Sequence, residues 1–247
     1  MDIRERLKVF DDPLFRFDPR WHKYTYDSTP LQSVTKFISS FHEPFDEQSV
    51  SKKVSESTGV PQDQILAEWK QKNTRAIEVG HATHEWIENY FNGVHQVIPT
   101  DLDVVDRINK FNLAYAKYLH KLEPVCFEKR IFHSGWGMAG TIDSLFTYND
   151  KVIMVDYKTN GEFRHDDHPK GCYNKLRDPF GDLCQNHLND YSIQVSMYSL
   201  MLEEVAGIKV DRCYMLHIGP DDTKMWTALD LRDRLRTKLN AVTQTVQ

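Results

Sequence analysis

The run Lys151-Val-Ile-Met-Val-Asp-Tyr-Lys158 constrains the fold more than any other stretch of this chain. On a strand, Val152 and Met154 face one way and Ile153, Val155 and Tyr157 the other, because side chains alternate with a period of two. Both faces are apolar up to Asp156. Such a strand belongs inside a sheet covered on both sides. Segments 125–133 and 140–148 also read as strands, and an Asn149-Asp150 hairpin turn joins the second to 151–159. Ile77, Gly80, His84, Ile87 and Phe91 recur at helical spacing within 62–91, with a break allowed near Asn73. Val104, Ile108, Phe111, Tyr115 and Tyr118 mark a second helix over 102–121. A helix over 191–205, a strand over 209–218 and a polar C-terminal helix complete the order. That order predicts an α/β fold with a mixed central β-sheet flanked by helices.

The first sixty residues are punctuated by prolines and predict short helices and turns around Phe15, Phe17, Trp21 and Tyr24. The polar stretch 160–190 is too long for a simple connector and reads as a functional lid or a disordered segment. A chain of 247 residues is expected to form one domain over 1–247. It divides into a mostly helical portion (1–75), a core (76–218) and a C-terminal helix (219–247). The net charge of -5 excludes a global basic field, so a nucleic-acid partner would need a local patch and a metal. The four cysteines scatter without a CxxC, as expected of free thiols in a reducing compartment. The N-terminus lacks the apolar run of a signal peptide, and no stretch approaches a membrane span. A cytoplasmic protein of a bacterium or phage-infected cell, with no membrane partner, is expected.

Charge at the end of the buried strand needs a reason, since an unpaired buried charge costs on the order of several kcal/mol. A divalent cation on Asp156 supplies one, and Asp143 lies on the partner strand within Gly140-Thr-Ile-Asp143. Two carboxylates can hold a hard cation, and a nearby ammonium can steady a water. Taken alone, Asp156-Tyr-Lys158 equally fits a solvated ion pair, as do the decoys Glu68-Trp-Lys70 and Asp222-Thr-Lys224. His84 fits either a hydrogen-bonded core histidine or a ligand, and Glu88 lies one turn on. Arg164, Lys170, Lys175 and Arg177, interleaved with Phe163, Tyr173 and Phe180, fit a strand grip or a solvated loop. Ser33 and Thr35 fit a phosphate contact or a plain N-cap. His165, His168, Cys172 and Cys184 match no common zinc spacing.

In order along the chain, Gly80-His-Ala-Thr-His84-Glu-Trp-Ile-Glu88, Gly140-Thr-Ile-Asp143, Val155-Asp-Tyr-Lys-Thr159 and Gln194-Val-Ser-Met-Tyr198 resemble the RecB-like branch of the PD-(D/E)xK nucleases. Leu31-Gln-Ser-Val-Thr35 is similar to a segment of its phage and mitochondrial members. The resemblance implies a restriction-endonuclease-like core. It implies that His84, Asp143 and Asp156 hold Mg²⁺ or Mn²⁺ with help from the Tyr157 carbonyl. Lys158 would position or activate the attacking water. Gln194 and Tyr198 would brace the site and touch the DNA backbone, and Glu88 would support His84 from behind. Ile142 stands where the superfamily's naming proline would be, a change common in this branch. With no Cys before Cys126 and no later trio, no iron–sulfur cluster is expected. The implied activity is a metal-dependent exodeoxyribonuclease acting on single- or double-stranded DNA ends in recombination, repair or replication, with a phage source compatible. An endonuclease on the same fold and a catalytically inactive DNA-binding module remain the alternatives. Oligomeric state stays open, since the family includes both toroidal trimers and monomers.

Overall fold

The computed structural model describes residues 2–167 and 171–245. It begins with α1 (Ile3–Leu7), then β1 (Phe15–Asp18), β2 (Lys23–Tyr26) and β3 (Thr29–Ser33). Helices α2 (Val34–Ser39), α3 (Glu47–Thr58), α4 (Gln62–Phe91) and α5 (Leu102–Ala114) come next, the last running on into a π-helical turn. Then come β4 (Glu123–His133), β5 (Met138–Tyr148), β6 (Lys151–Lys158) and the long helix α6 (His187–Ala206). Strands β7 (Arg212–Ile218) and β8 (Thr223–Thr227) and helix α7 (Arg232–Thr245) close the chain.

The strands form one eight-stranded mixed sheet. Its order is β1-β2-β3-β5-β6-β7-β8, and β4 pairs with the other edge of β5. The β5–β6 hairpin forms as expected. Asn149 and Asp150 take left-handed φ values of 49° and 60°, the backbone of a tight hairpin turn. Alternation along β6 sorts its side chains as the sequence implies. Val152 and Met154 join the larger core with α6 and the N-terminal elements, while Ile153, Val155 and Tyr157 join a second core with α4 and α5. Helices therefore cover both faces of the sheet.

One irregularity of the sheet shapes the site, on the edge of β5 that β3 and β6 share. Parallel strand β3 pairs with β5 only at Gln32–Met138 and Ser33–Ala139. On the same edge, β6 pairs with β5 only from Ser144 onward. Between them the sheet forks, and residues 140–143 of β5 have no ladder partner on that side. Asp143 stands in the fork. Its Oδ2 accepts the Tyr157 backbone N–H at 2.7 Å, so a side chain replaces the missing rung.

Several expectations change. The aromatic N-terminal segment carries short helices, but Phe15, Phe17 and Tyr24 lie on strands that extend the sheet. Alternating half-buried and exposed positions on β1 show why. Helix α4 runs unbroken past Asn73. Its buried face is Ile65, Val79, Thr83 and Ile87, so Ile77 points outward. The free-thiol reading fails for one pair: Cys172 and Cys184 form a disulfide. An isolated bridge between Lys175 and Cys184 folds the 160–190 stretch back on itself and brings the two sulfurs together. Cys126 and Cys213 remain free. The described parts of that stretch are anchored by Leu176 and Phe180 in the core and by the Arg177 N–H on the Phe41 carbonyl. No helix among the described residues is long and apolar enough to cross a membrane.

Candidate active site

Four elements meet at the fork. Helix α4 delivers His84, β5 delivers Asp143, β6 delivers Asp156 and Lys158, and α6 delivers Gln194 and Tyr198. Two glycines allow the approach. A Cβ on Gly140 would lie 2.5 Å from Cε1 of Tyr198, so only glycine lets α6 pack its tyrosine on β5. A Cβ on Gly80 would meet Thr159 Oγ1 at 3.1 Å. That close contact seats α4 against the end of β6, one turn before His84.

Within the fork, Lys158 Nζ lies 2.7 Å from Asp156 Oδ2 and donates to Gln194 Oε1 at 3.1 Å. Gln194 Nε2 in turn donates to the Tyr198 hydroxyl at 3.0 Å. The Tyr191 ring lies under Lys158 Nζ at 4.3 Å, a cation–π contact. Lys158 is thus held from three sides. Burial pushes its ammonium pKa down, but the Asp156 carboxylate and its neighbours raise it further, leaving it above the ordinary lysine value. Burial raises Asp156 to about 6, against the lowering effect of Lys158. Asp143 is also raised, by burial first.

His84 sits between carboxylates. Its Nδ1 is 3.4 Å from Glu128 Oε1 and 3.7 Å from Asp143 Oδ2, and its Nε2 is 3.1 Å from the Tyr157 carbonyl oxygen. Burial lowers the imidazole pKa, yet Asp143 and Glu128 more than offset this and hold it at about 9. His84, Glu128 and Asp143 each offer a ligand atom within 4.8 Å of the others.

Glu128 lies outside every motif of the sequence. The β4–β5 register, with Phe127 opposite Ser144 and Lys129 opposite Ile142, places it across from Asp143. Its φ of 44° breaks the ladder at that pair and re-aims its side chain. Its place in the strand read over 125–133 was the only sequence signal, and the register that sets it opposite Asp143 was not in the sequence. Glu88 does not take the place expected for it. His84 bonds Glu128 and Tyr157, while Glu88 is raised by burial and by the neighbouring Glu128 charge.

A divalent cation fits this donor set. Asp156 is 1% exposed, and its Oδ1 finds no hydrogen-bond donor among the described residues. Burial first of all pushes both aspartates toward neutrality, and a bound cation would favour their charged forms. His84 Nε2 and the Tyr157 oxygen stand 3.1 Å apart. Neighbouring ligands around an octahedral Mg²⁺ with bonds of about 2.1 Å lie about 3 Å apart. His84, Asp143 and the Tyr157 carbonyl are therefore close together with Glu128 beside them, while Asp156 is held at Lys158.

A cleft of about 260 Å³ opens from Asp143, Gln194 and Tyr198 toward the N-terminal strands. Ser33 and Thr35 line it with Phe17, His22, Glu128 and Arg130. Ser33 Oγ accepts the Lys36 N–H and so N-caps α2, and it bonds the Thr35 hydroxyl at 3.1 Å. The other basic candidates lie elsewhere. Arg177 pairs with Glu43 at 2.9 Å, Arg164 with Glu162 at 3.1 Å, and Lys175 donates to the Asp182 carbonyl at 2.8 Å. None of the three lines the cleft. Lys170 lies outside the described residues. Phe163 and Phe180 are buried, so of the interleaved aromatics only Tyr173 is exposed. The zinc alternative loses Cys172 and Cys184 to their disulfide, and His168 lies outside the described residues.

No family model matches the chain, and no curated protein matches it. Among solved structures, it is similar to a protein of Eubacterium rectale described as a "Putative exonuclease". The identity is 11% and the TM-score 0.39, over 69% of this chain and 68% of that one. It is also similar to the protein SSO0001, with 15% identity and a TM-score of 0.29, over 70% and 72% of the two chains. At these scores the likenesses carry no functional weight.

Proposed function

We propose that this chain is a metal-dependent nuclease that hydrolyses DNA phosphodiester bonds, acting as an exodeoxyribonuclease. The observation that carries this reading is that His84, Asp143, Asp156 and Lys158, from three separate elements, gather at the fork of the sheet, with Asp143 at the mouth of the cleft. His84, Asp143, Asp156 and the Tyr157 carbonyl would hold Mg²⁺ or Mn²⁺. The cation would supply Lewis-acid polarisation of the phosphate and a lowered pKa for a bound water.

The chain's own groups do the rest. Lys158 is held by Asp156, Gln194 and the Tyr191 ring, where it would orient the attacking water and offset charge developing on the phosphate. Gln194, locked to Tyr198, holds the ammonium in place. Glu128 fixes His84 by accepting from Nδ1, which leaves Nε2 pointing at the Tyr157 carbonyl. Ser33, Thr35 and Arg130 offer donors to the strand's phosphates along the cleft wall. A role at DNA ends in recombination, repair or replication comes from the family resemblance.

End-labelled single- and double-stranded oligonucleotides incubated with Mg²⁺, Mn²⁺ or EDTA test the reading. Digestion is expected with either metal and not with EDTA, and closed circular single-stranded DNA should stay intact. Asp143→Ala, Asp156→Ala and Lys158→Ala should each lower the rate by a factor on the order of a hundred or more. Wild-type rates in all three variants, or no digestion by the native protein, would contradict it.

A further inference from the structure

The β1–β2 hairpin beside the cleft carries a feature that the hydrolytic chemistry does not use. Trp21, at its tip, is 62% exposed. Large aromatic side chains are mostly covered, so one this open on a turn is informative. Arg20 lies over the Trp21 ring at 5.1 Å and Lys23 at 6.0 Å from its centroid. The tip is built rather than loose. Asp18 Oδ1 accepts the backbone N–H groups of Arg20 and Trp21 at 2.9 and 3.3 Å, and His22 turns the chain back with φ of 47°.

The inner side of the same hairpin is part of the cleft. Phe17, His22 and Tyr24 contact one another ring to ring and line it opposite Asp143, Gln194 and Tyr198. Arg130 lies over Phe17 at 4.7 Å. Some surface arginines are neutralised locally. Arg75, Arg177, Arg232 and Arg234 are each paired with a carboxylate. Arg16, Arg20, Lys23 and Arg130 are exposed and form no ion pair among the described residues. In a chain of net charge -5, Arg20 and Lys23 at the open indole, with Arg130 over Phe17 and Arg16 beside it on the same hairpin, make a local polyanion site.

We propose that the hairpin tip binds single-stranded DNA on its way into the cleft. Trp21 stacks on an unpaired base, and Arg16, Arg20, Lys23 and Arg130 contact the flanking phosphates. An indole face can be used only by a base that has left the duplex stack, which favours a single strand over a blunt duplex. The proposal rests on the nuclease reading and names the form of substrate that reaches the site.

Fluorescence anisotropy with a labelled single-stranded oligonucleotide, with Ca²⁺ in place of Mg²⁺, tests it. Trp21→Ala should weaken binding about tenfold, the usual size of one lost base–aromatic stack. Trp21→Phe should recover most of that loss. A blunt duplex should be far less affected by Trp21→Ala. The double variant Arg20→Gln, Lys23→Gln should make the salt dependence of single-strand binding shallower. Equal single-strand affinity in wild type and Trp21→Ala would overturn the proposal, as would an equal loss on the blunt duplex. Digestion by the wild-type protein, run in parallel, separates the two levels. If it digests DNA while Trp21→Ala binds normally, only the hairpin proposal fails. If it neither binds nor digests, the nuclease reading fails and takes the proposal with it.

Discussion

Asp143 and Glu128 face each other across the β4–β5 pairing, and like charges so placed destabilise a sheet. Glu128 also holds a left-handed backbone, a conformation that costs a non-glycine residue on the order of 1–3 kcal/mol. The imidazole of His84 between them offsets part of the repulsion. Among single residues, Gly140 gives the clearest stability test. Gly140→Ala places a methyl group 2.5 Å from the buried Tyr198 ring. The ring must shift, so urea denaturation should show a loss of about 1–3 kcal/mol. Cleavage should fall too, because Tyr198 holds Gln194 and Gln194 holds Lys158. An unchanged midpoint would contradict the close packing of α6 on β5. The motif residues were legible because each is tied to a pattern: His84 to a helical stripe, Asp156 and Lys158 to the end of a two-faced strand. Glu128 was not legible, because its approach depends on a backbone kink that no residue pattern announces. The Cys172–Cys184 pairing was hidden for a similar reason, since it depends on how an irregular loop folds back.

Among the elements, the long helices and the β4–β6 meander could be read directly, since their apolar periods run for several turns or rungs. The four- and five-residue strands β1, β2, β3 and β8 could not, because short strands among prolines and charges carry little period. Their alternation becomes informative once partner strands are known. Helix α6 is buried along most of its length, and its serines bond carbonyls or loop N–H groups, so it reads as a central element rather than a surface helix. Its first turn is tied to the segment after α2 by His42 Nε2 and Asp190 Oδ1 at 2.9 Å. The hydrogen bond to Asp190 raises the His42 pKa above its ordinary 6.5. A histidine raised on folding contributes stability that is fully present below 6.5 and is lost as the pH rises through its folded value. The stability gap between wild type and His42→Ala should therefore be larger at low pH than at high pH, by about 1 kcal/mol. Denaturation curves at pH 6 and pH 9 check it, and a gap independent of pH would refute the ion pair's role.

For the molecule as a whole, the mixed sheet with helices on both faces follows from one strand that must be hidden on both sides. The fork between β3 and β6 then arises because β5 is longer than either partner strand's pairing with it. That fork interrupts the sheet beside Asp143, and His84, Glu128, Asp156 and Lys158 gather there. Its opening is also bordered by the N-terminal hairpin, so the part of the chain hardest to read from sequence forms a wall of the site. The nuclease reading stands on Asp143, Asp156, His84 and the Tyr157 carbonyl surrounding one divalent cation. Anomalous diffraction from crystals soaked in Mn²⁺ decides the matter. A peak is expected within bonding distance of both aspartates, with Lys158 alongside, and it should disappear in Asp156→Asn crystals. A well-ordered site without manganese, or manganese bound without either aspartate, would contradict the reading.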